Sequence, residues 1–340
     1  MPRSAPGFWQ GRGAVAWCLF PLSLFFAFVA GLRRRLFALG VLKAERLPVP
    51  VIVVGNIAVG GSGKTPVVDW LAGVLRAAGH RPGIVSRGHG GTASAQGGLA
   101  LVPADGDPGR YGDEPVLLAR LTGCPLVVGH DRTAAARELL RLHRERDELV
   151  ADDGLQHYRL ARDLEIAVVD AATLGNRLLL PAGPLREPLA RLAEVDLVLA
   201  HGELDAELRA AIGAVPVFGM RLAGEELIAL DNPARRLPLA AMRGRRVHAV
   251  AGIGRPQRFF EQLANAGLDV VAHAFPDHHR FVAADLAFGD ASPILMTAKD
   301  AVKCRAFAPA DCWEYPVRAQ IGSGAAERIL EKLEDGRTSA

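Results

Sequence analysis

An apolar run, Pro50-Val51-Ile52-Val53-Val54-Gly55-Asn56, leads within two residues into the turn Ala58-Val59-Gly60-Gly61-Ser62-Gly63-Lys64-Thr65. No other stretch constrains the fold as tightly. Four consecutive β-branched residues predict a buried strand, and the glycines predict a turn open to positive φ. Pro66 fits a first helical turn, where a missing N–H costs little. Strand, turn and helix together make a phosphate cradle. Backbone N–H groups wrap the oxygens, the helix N-terminus adds positive potential, Lys64 reaches the β- and γ-phosphates, and Thr65 offers a hydroxyl to Mg²⁺. The strict pattern has a glycine five residues before Gly63. Ala58 stands there, so this is a variant P-loop, with ATP and Mg²⁺ as the expected ligands.

From Pro50 onward, short apolar runs alternate with amphipathic stretches, the pattern of an α/β protein with a mostly parallel, P-loop NTPase-like sheet. Strands are expected at Val51–Val54, Gly83–Ser86, Leu126–Gly129, Leu149–Asp152, Glu165–Asp170 and Asp196–Ala200, with helices at Pro66–Ala78 and Arg132–Arg146. The Gly-, Ala-, Ser- and Asp-rich segment Gly88–Gly109 reads as a long mobile loop near the phosphate end. After Val215 the composition shifts to short strands and turns, and a second α/β alternation begins at Val247–Ala251. Its members are a helix at Pro256–Ala266, strands at Asp269–Phe275 and Ile294–Thr297, and a helix at Ala325–Leu333. The expected division is a P-loop kinase domain over 47–220 and a smaller C-terminal α/β domain over 221–340 that closes the active-site cleft.

Ahead of both, Gly13–Gly31 carries no charge and as a helix extends about 28 Å, close to a bilayer core. Arg33-Arg34-Arg35, Lys43 and Arg46 follow it, against Arg3 and Arg12 on the other side, so the C-terminal flank is expected to be cytoplasmic. A cleaved signal peptide is disfavoured because Phe28-Val29-Ala30 lacks a small residue at −3 and export would part the P-loop from ATP. Pro21 allows a kinked or interfacial helix as well as a span. The segment reads as a membrane anchor. A net charge of +3 gives no electrostatic case for a nucleic-acid partner, and four scattered cysteines give none for disulfides or zinc.

Several other segments carry groups suited to phosphate chemistry. Leu149-Val150-Ala151-Asp152-Asp153-Gly154 has the form of a Walker B strand end, which brings carboxylates to Mg²⁺, and Gln156 and His157 follow at once. Asp113, in Gly112-Asp113-Glu114-Pro115, either caps a helix or faces the γ-phosphate. In Asp277-His278-His279 a histidine beside a carboxylate suits a general base; a metal site with His273 is disfavoured because adjacent side chains on an extended chain diverge. Pro181–Pro188 presents Arg186 and Glu187 from a proline-stiffened loop, where arginine neutralises phosphate charge. Gly252-Ile253-Gly254 lacks a third glycine and reads as a tight strand-to-helix turn rather than a dinucleotide site.

Together these segments resemble the tetraacyldisaccharide 4′-kinases, the lipid A 4′-kinases of Gram-negative bacteria. The resemblance rests on Gly55–Pro66, Ser86-Arg87-Gly88, Gly112–Pro115, Asp152–His157, Leu180–Glu187, Phe275–His279 and Thr297-Ala298-Lys299-Asp300, in that order along the chain. That family's loop also lacks the first glycine. The resemblance implies transfer of the γ-phosphate of ATP to the 4′-hydroxyl of an acylated glucosamine disaccharide 1-phosphate, giving lipid IV-A, at the cytoplasmic side of the bacterial inner membrane. It implies that Ala58 to Thr65 hold ATP, that Lys64 neutralises the β- and γ-phosphates, and that Thr65 with Asp152 or Asp153 holds Mg²⁺. Asp113 and His278 would deprotonate the acceptor, while His157, Arg186 and Glu187 support the phosphates and metal. A competing reading from the residues alone is a membrane-tethered P-loop ATPase or GTPase acting as a switch or chaperone. It leaves Asp113, His278 and the second domain without work.

Overall fold

The computed structural model describes residues 6–338; Arg3 and the last two residues of the expected C-terminal domain lie outside that range. In chain order the first elements are α1 (Ala14–Ala38), β1 (Val51–Gly55), α2 (Lys64–Ala77), β2 (Pro82–Ser86), β3 (Leu99–Leu101), α3 (Pro108–Tyr111), α4 (Asp113–Thr122), β4 (Leu126–Gly129) and α5 (Arg132–Leu142). There follow β5 (Glu148–Asp152), β6 (Leu164–Asp170), β7 (Leu197–His201), α6 (Ala206–Ile212) and β8 (Val217–Ala223). The remainder comprises β9 (Glu226–Ala229), β10 (Arg236–Pro238), β11 (Arg246–Ala251), α7 (Pro256–Asn265), β12 (Asp269–Ala274), β13 (Ile294–Thr297), α8 (Ala298–Cys304), β14 (Cys312–Tyr315), β15 (Arg318–Ile321) and α9 (Ala325–Thr338).

The first sheet has the order β15-β8-β7-β6-β1-β5-β2-β4-β3, parallel from β8 to β4 and antiparallel at both edges. Its central strands β1, β2, β5 and β6 are buried along their whole length, as near-continuous apolar runs covered on both faces must be. On one face α2 buries Val67, Val68, Leu71, Ala72 and Leu75, a helical spacing that makes one apolar stripe. The parallel register sets Asp152 beside Val54, so the Walker B carboxylates emerge where the P-loop begins. The Gly88–Gly109 segment, expected as a mobile loop, is tied down. The Ser94 hydroxyl donates to the Gly88 carbonyl (2.9 Å), the Ala93 amide donates to Arg110 O (2.7 Å), and Leu99–Leu101 forms the edge strand β3.

The second sheet, β10-β9-β14-β13-β11-β12, carries its own core around Leu227, Met242, Val247, Leu263, Leu295 and Trp313. It does not extend to the chain end. Sheet membership departs from the expected cut at residue 220: β8 runs through that point, and β15 returns to pair antiparallel with β8. α9 then buries Ala325, Ile329 and Leu333 in the first core. The composition shift marked where the chain leaves the first sheet, but the returning strand is too short and polar to signal its partner. The two crossings run side by side, with the Tyr315 hydroxyl donating to the Gly224 carbonyl at 3.0 Å.

The N-terminal helix continues past Gly31 through the arginines to Ala38, and it is the one described helix long and apolar enough to cross a membrane. Trp17, Leu22, Leu24, Phe25 and Phe28 face outward. Ser23 holds its inner side to the body, donating to Leu179 O at 2.9 Å and accepting from the Ala182 amide at 3.0 Å.

Candidate active site

The P-loop turns on two glycines. Gly60 and Gly63 take φ of 117° and 85°, the left-handed region that other residues enter at a cost. Ala58 has no such demand. It pairs with Leu185 as an antiparallel bridge, the Val59 amide donates to Pro184 O (2.8 Å), and its methyl is buried. The missing first glycine is therefore replaced by a short strand contact, which fastens the loop to the Pro181–Glu187 segment. Arg186 is carried along that contact: its amide donates to Ile57 O (2.7 Å) and its guanidinium to Asp153 (3.0 Å).

Lys64 lies within this cradle, 3.3 Å from Asp153 Oδ1 and donating to Asn56 Oδ1 at 3.2 Å. Burial opposes charge on Asp153, but Lys64 and Arg186 outweigh it and hold the carboxyl well below its ordinary range. Asp152 is the reverse. Burial, then the nearby Glu114 and Asp153 carboxylates, push it up to about 7, with the Ser86 hydroxyl donating to it at 2.9 Å. Two adjacent acids shifted in opposite directions mark a place where positive charge reaches one and not the other. Among the described residues no three His, Cys, Asp or Glu side chains form a ready metal cluster. Mg²⁺ needs none, since one or two protein oxygens plus phosphates and water complete its shell. Thr65 and Asp152 are hard oxygen donors of that kind, and the crowded charge at Asp152 is what a cation would relieve.

Two expected supports sit differently from the expectation. Glu187, expected among the groups that support the phosphates and metal, has a buried carboxylate that accepts from Gln156 Nε2 (2.8 Å) and the Tyr158 hydroxyl. Gln156 also donates to Asn56 O (3.1 Å), so Glu187 braces the start of the loop through Gln156. The His157 ring faces Asp131 at 3.7 Å, and burial followed by Arg132 brings it down to about 4, so it is neutral at physiological pH. Gln156 was visible in the sequence; the brace through Tyr158 was not, because a tyrosine four residues past Gly154 carries no distinctive signal.

Asp113 and His278, 165 residues apart, meet between the two sheets. His278 Nδ1 lies 3.0 and 3.1 Å from the Asp113 carboxylate oxygens. Asp113 begins α4 and is only 6% exposed. Burial resists its charge, but the His278 hydrogen bond and the Lys299 ammonium hold the carboxyl at about 2. His278 is raised by that same bond, against burial and Lys299. Asp113 is the first residue of α4 rather than its cap, a place that Gly112 holds, and its carboxylate faces the histidine. The neighbouring histidines go elsewhere, His279 to Asp285 (3.0 Å) and His273 to His248 (2.9 Å), so the weighed three-histidine metal set is not assembled. The Gly252–Gly254 turn leads from β11 towards α7, and Gly254 comes against the loop: a Cβ there would lie 3.7 Å from the Gly61 nitrogen. Arg258 and Arg255 on this turn and helix reach across to the buried Asp170 at the end of β6, at 2.7 and 3.3 Å.

A P-loop on a parallel sheet, acids at the neighbouring strand end and an Asp–His pair presented by a second sheet define a phosphotransferase of the P-loop class. Comparison with known sequences narrows this. The family described as Tetraacyldisaccharide-1-P 4'-kinase matches residues 15–334. A Tetraacyldisaccharide 4'-kinase of Azoarcus sp. (strain BH72) is 66% identical over 337 residues, covering 99% of this chain and 97% of that protein. One from Aromatoleum aromaticum is 61% identical over the full length of both. A crystal structure of LpxK from Aquifex aeolicus in complex with ATP is 30% identical with a TM-score of 0.79, covering 94% of this chain and 99% of that one. The chain belongs to the tetraacyldisaccharide 4′-kinase family.

Proposed function

We propose that this chain phosphorylates its lipid acceptor in the cleft between the two sheets, with Asp113 and His278 as the acceptor-activating pair. The reaction is that of the family: the γ-phosphate of ATP passes to the 4′-hydroxyl of a tetraacylated glucosamine disaccharide 1-phosphate, forming lipid IV-A. The observation that carries the site reading is the 3.0 Å contact between His278 and Asp113, made across the two sheets beside the P-loop. Phosphoryl transfer asks mainly for positioning and charge neutralisation, with a base aimed at the acceptor. Lys64 and the amides of Ala58 to Thr65 bind the phosphates, and Arg186 adds charge from the bracing segment. Thr65 and Asp152 are the residues that would hold Mg²⁺, which supplies further neutralisation of the β- and γ-oxygens when bound. Asp153 keeps Lys64 and Arg186 in place until phosphate oxygens replace it. Glu187 braces the loop through Gln156, and His157 stays neutral beside Asp131.

Four acyl chains keep the acceptor in a bilayer, so only its sugar head can reach the cleft. The outward apolar side of α1 and the arginines at its end fit an anchor that holds the cleft at headgroup height. The membrane we assign is the inner membrane, with both sheets on its cytoplasmic side, and the second sheet closes on the first as ATP binds. Detergent-purified protein given γ-labelled ATP, Mg²⁺ and the disaccharide lipid is expected to place label in the lipid. Label found only in free phosphate would replace this reading with the hydrolase one.

A further inference from the structure

The Thr297-Ala298-Lys299-Asp300 segment has no part in the reaction as described so far. It forms the junction between β13 and α8, and its outer residues build a rigid mount. The buried Asp300 carboxylate accepts from the Thr297 hydroxyl (2.6 Å) and the Gly252 amide (2.9 Å), while Thr297 Oγ1 accepts from the Asp300 amide (3.2 Å). Lys299, one of the two residues between them, is thereby aimed at the first sheet. Its ammonium lies 3.0 Å from Glu114, 3.1 Å from Asp277, 3.4 Å from His278 Nε2 and 3.9 Å from Asp113. Its side chain is 15% exposed.

Burying an ammonium is costly unless acids surround it, and three carboxylates from both halves of the molecule do so here. A pin between domains would need no more than that. The contact with His278 goes further. An ammonium has donors only, so towards it Nε2 acts as an acceptor. The ring proton of neutral His278 then sits on Nδ1, the nitrogen that meets Asp113. We infer that Lys299 is a positioning residue of the Asp113–His278 pair: it fixes the His278 proton towards Asp113 and balances the acids gathered there, and it does so only while the second sheet is docked on the first. This inference rests on the reading of Asp113 and His278 as the activating pair.

The charged and titratable groups facing the pair are Glu114 from α4, Asp277 beside His278, Lys299 and Lys303 from α8, and the His89 ring, 5.3 Å from that of His278. Lys299 opposes protonation of both Asp113 and His278, so removing its charge moves both titrations to higher pH. The test is the pH dependence of kcat and of kcat/KM for the lipid in wild type, Lys299→Arg and Lys299→Gln, with Asp113→Asn as reference. ATP affinity and thermal midpoint are measured alongside. Lys299→Gln is expected to lower kcat by about tenfold to a hundredfold and to move the acidic limb up by about one pH unit, with ATP affinity held within about twofold. Lys299→Arg keeps the charge, so its limb stays at the wild-type position while kcat recovers only in part. A limb unmoved in Lys299→Gln, or equal losses in both variants, would reduce Lys299 to a pin between domains and overturn the inference. Should Lys299→Gln fail to fold, Lys299→Arg decides: a limb displaced despite the retained charge sinks it. Wild-type turnover in Asp113→Asn would instead overturn the reading of the pair itself, whatever Lys299 does.

Discussion

The two sides of the cleft are built in opposite ways. The nucleotide side is continuous in sequence: β1, the loop and α2 follow one another, and much of the chemistry is backbone amides held by two glycines. The acceptor side we propose is assembled from α4, the turn after β12 and α8, which contribute side chains from positions 113, 278 and 299. A continuous segment can be right on its own. A discontinuous one is right only when two sheets dock correctly, so errors of packing reach the acceptor side first. The ion pair of Arg120 with the buried Glu314, at 2.8 Å, belongs to that docking, as do Arg258 and Asp170 on the far side of the cleft.

This contrast can be broken by single substitutions. The largest effect is expected from Lys64→Ala. It removes the one ammonium in the loop and should cut turnover by at least about 10³-fold and weaken ATP binding with it; near-normal turnover would refute the nucleotide side as drawn. His278→Ala should lower kcat by about 10²-fold or more while ATP affinity, read by titration calorimetry, barely moves. Equal losses in both would mean that the two sides are not separable.

Smaller effects sharpen the comparison through stability. Gly63→Ala forces a β-carbon into the left-handed region and within 3.1 Å of the Met220 methyl, so urea unfolding should show a loss of about 1–2 kcal/mol. No stability loss would show that the loop's backbone is not fixed as described. Asp152→Asn should act in the other direction. The folded carboxyl titrates at about 7 against 3.8 for the free group, so the fold prefers it protonated. Its charge therefore lowers stability progressively as pH rises from about 4 to about 7. Removing it should raise the thermal midpoint at pH 8 by about 2–4 °C, with little change at pH 4, while Mg²⁺-dependent turnover falls. A lower midpoint at pH 8 would mean that the acid is stabilised by a partner the apo site does not show.

The nucleotide side was legible in the sequence because its signals are local: Val51 to Val54 alternate with nothing, the glycines punctuate, and Lys64-Thr65 open a helix. Asp152 and Asp153 were legible for the same reason, as the end of an apolar run. Asp113 and His278 could be named as residues suited to proton transfer, and their pairing followed from resemblance to a family rather than from spacing. Lys299 lay in a segment that the resemblance picked out but no chemistry explained, because its importance comes from carboxylates that lie far away in the chain. Arg186 and Glu187 were legible as a charged pair on one loop, but not their shared partner: Arg186 faces Asp153 and Gln156, and Glu187 accepts from Gln156 and Tyr158. The closing strand β15 was missed since four residues with alternating burial look like any loop.

That closing strand also bears on the order of synthesis. A ribosome makes β1, the loop and the Walker B strand early, yet β8 lacks its antiparallel neighbour, and the α2 face its cover from α9, until residues 318–338 emerge. The nucleotide-binding half must wait, with apolar surface open, for the whole second sheet to be translated and folded between two adjacent strands. Chains that stop short of Arg318 would leave that surface uncovered.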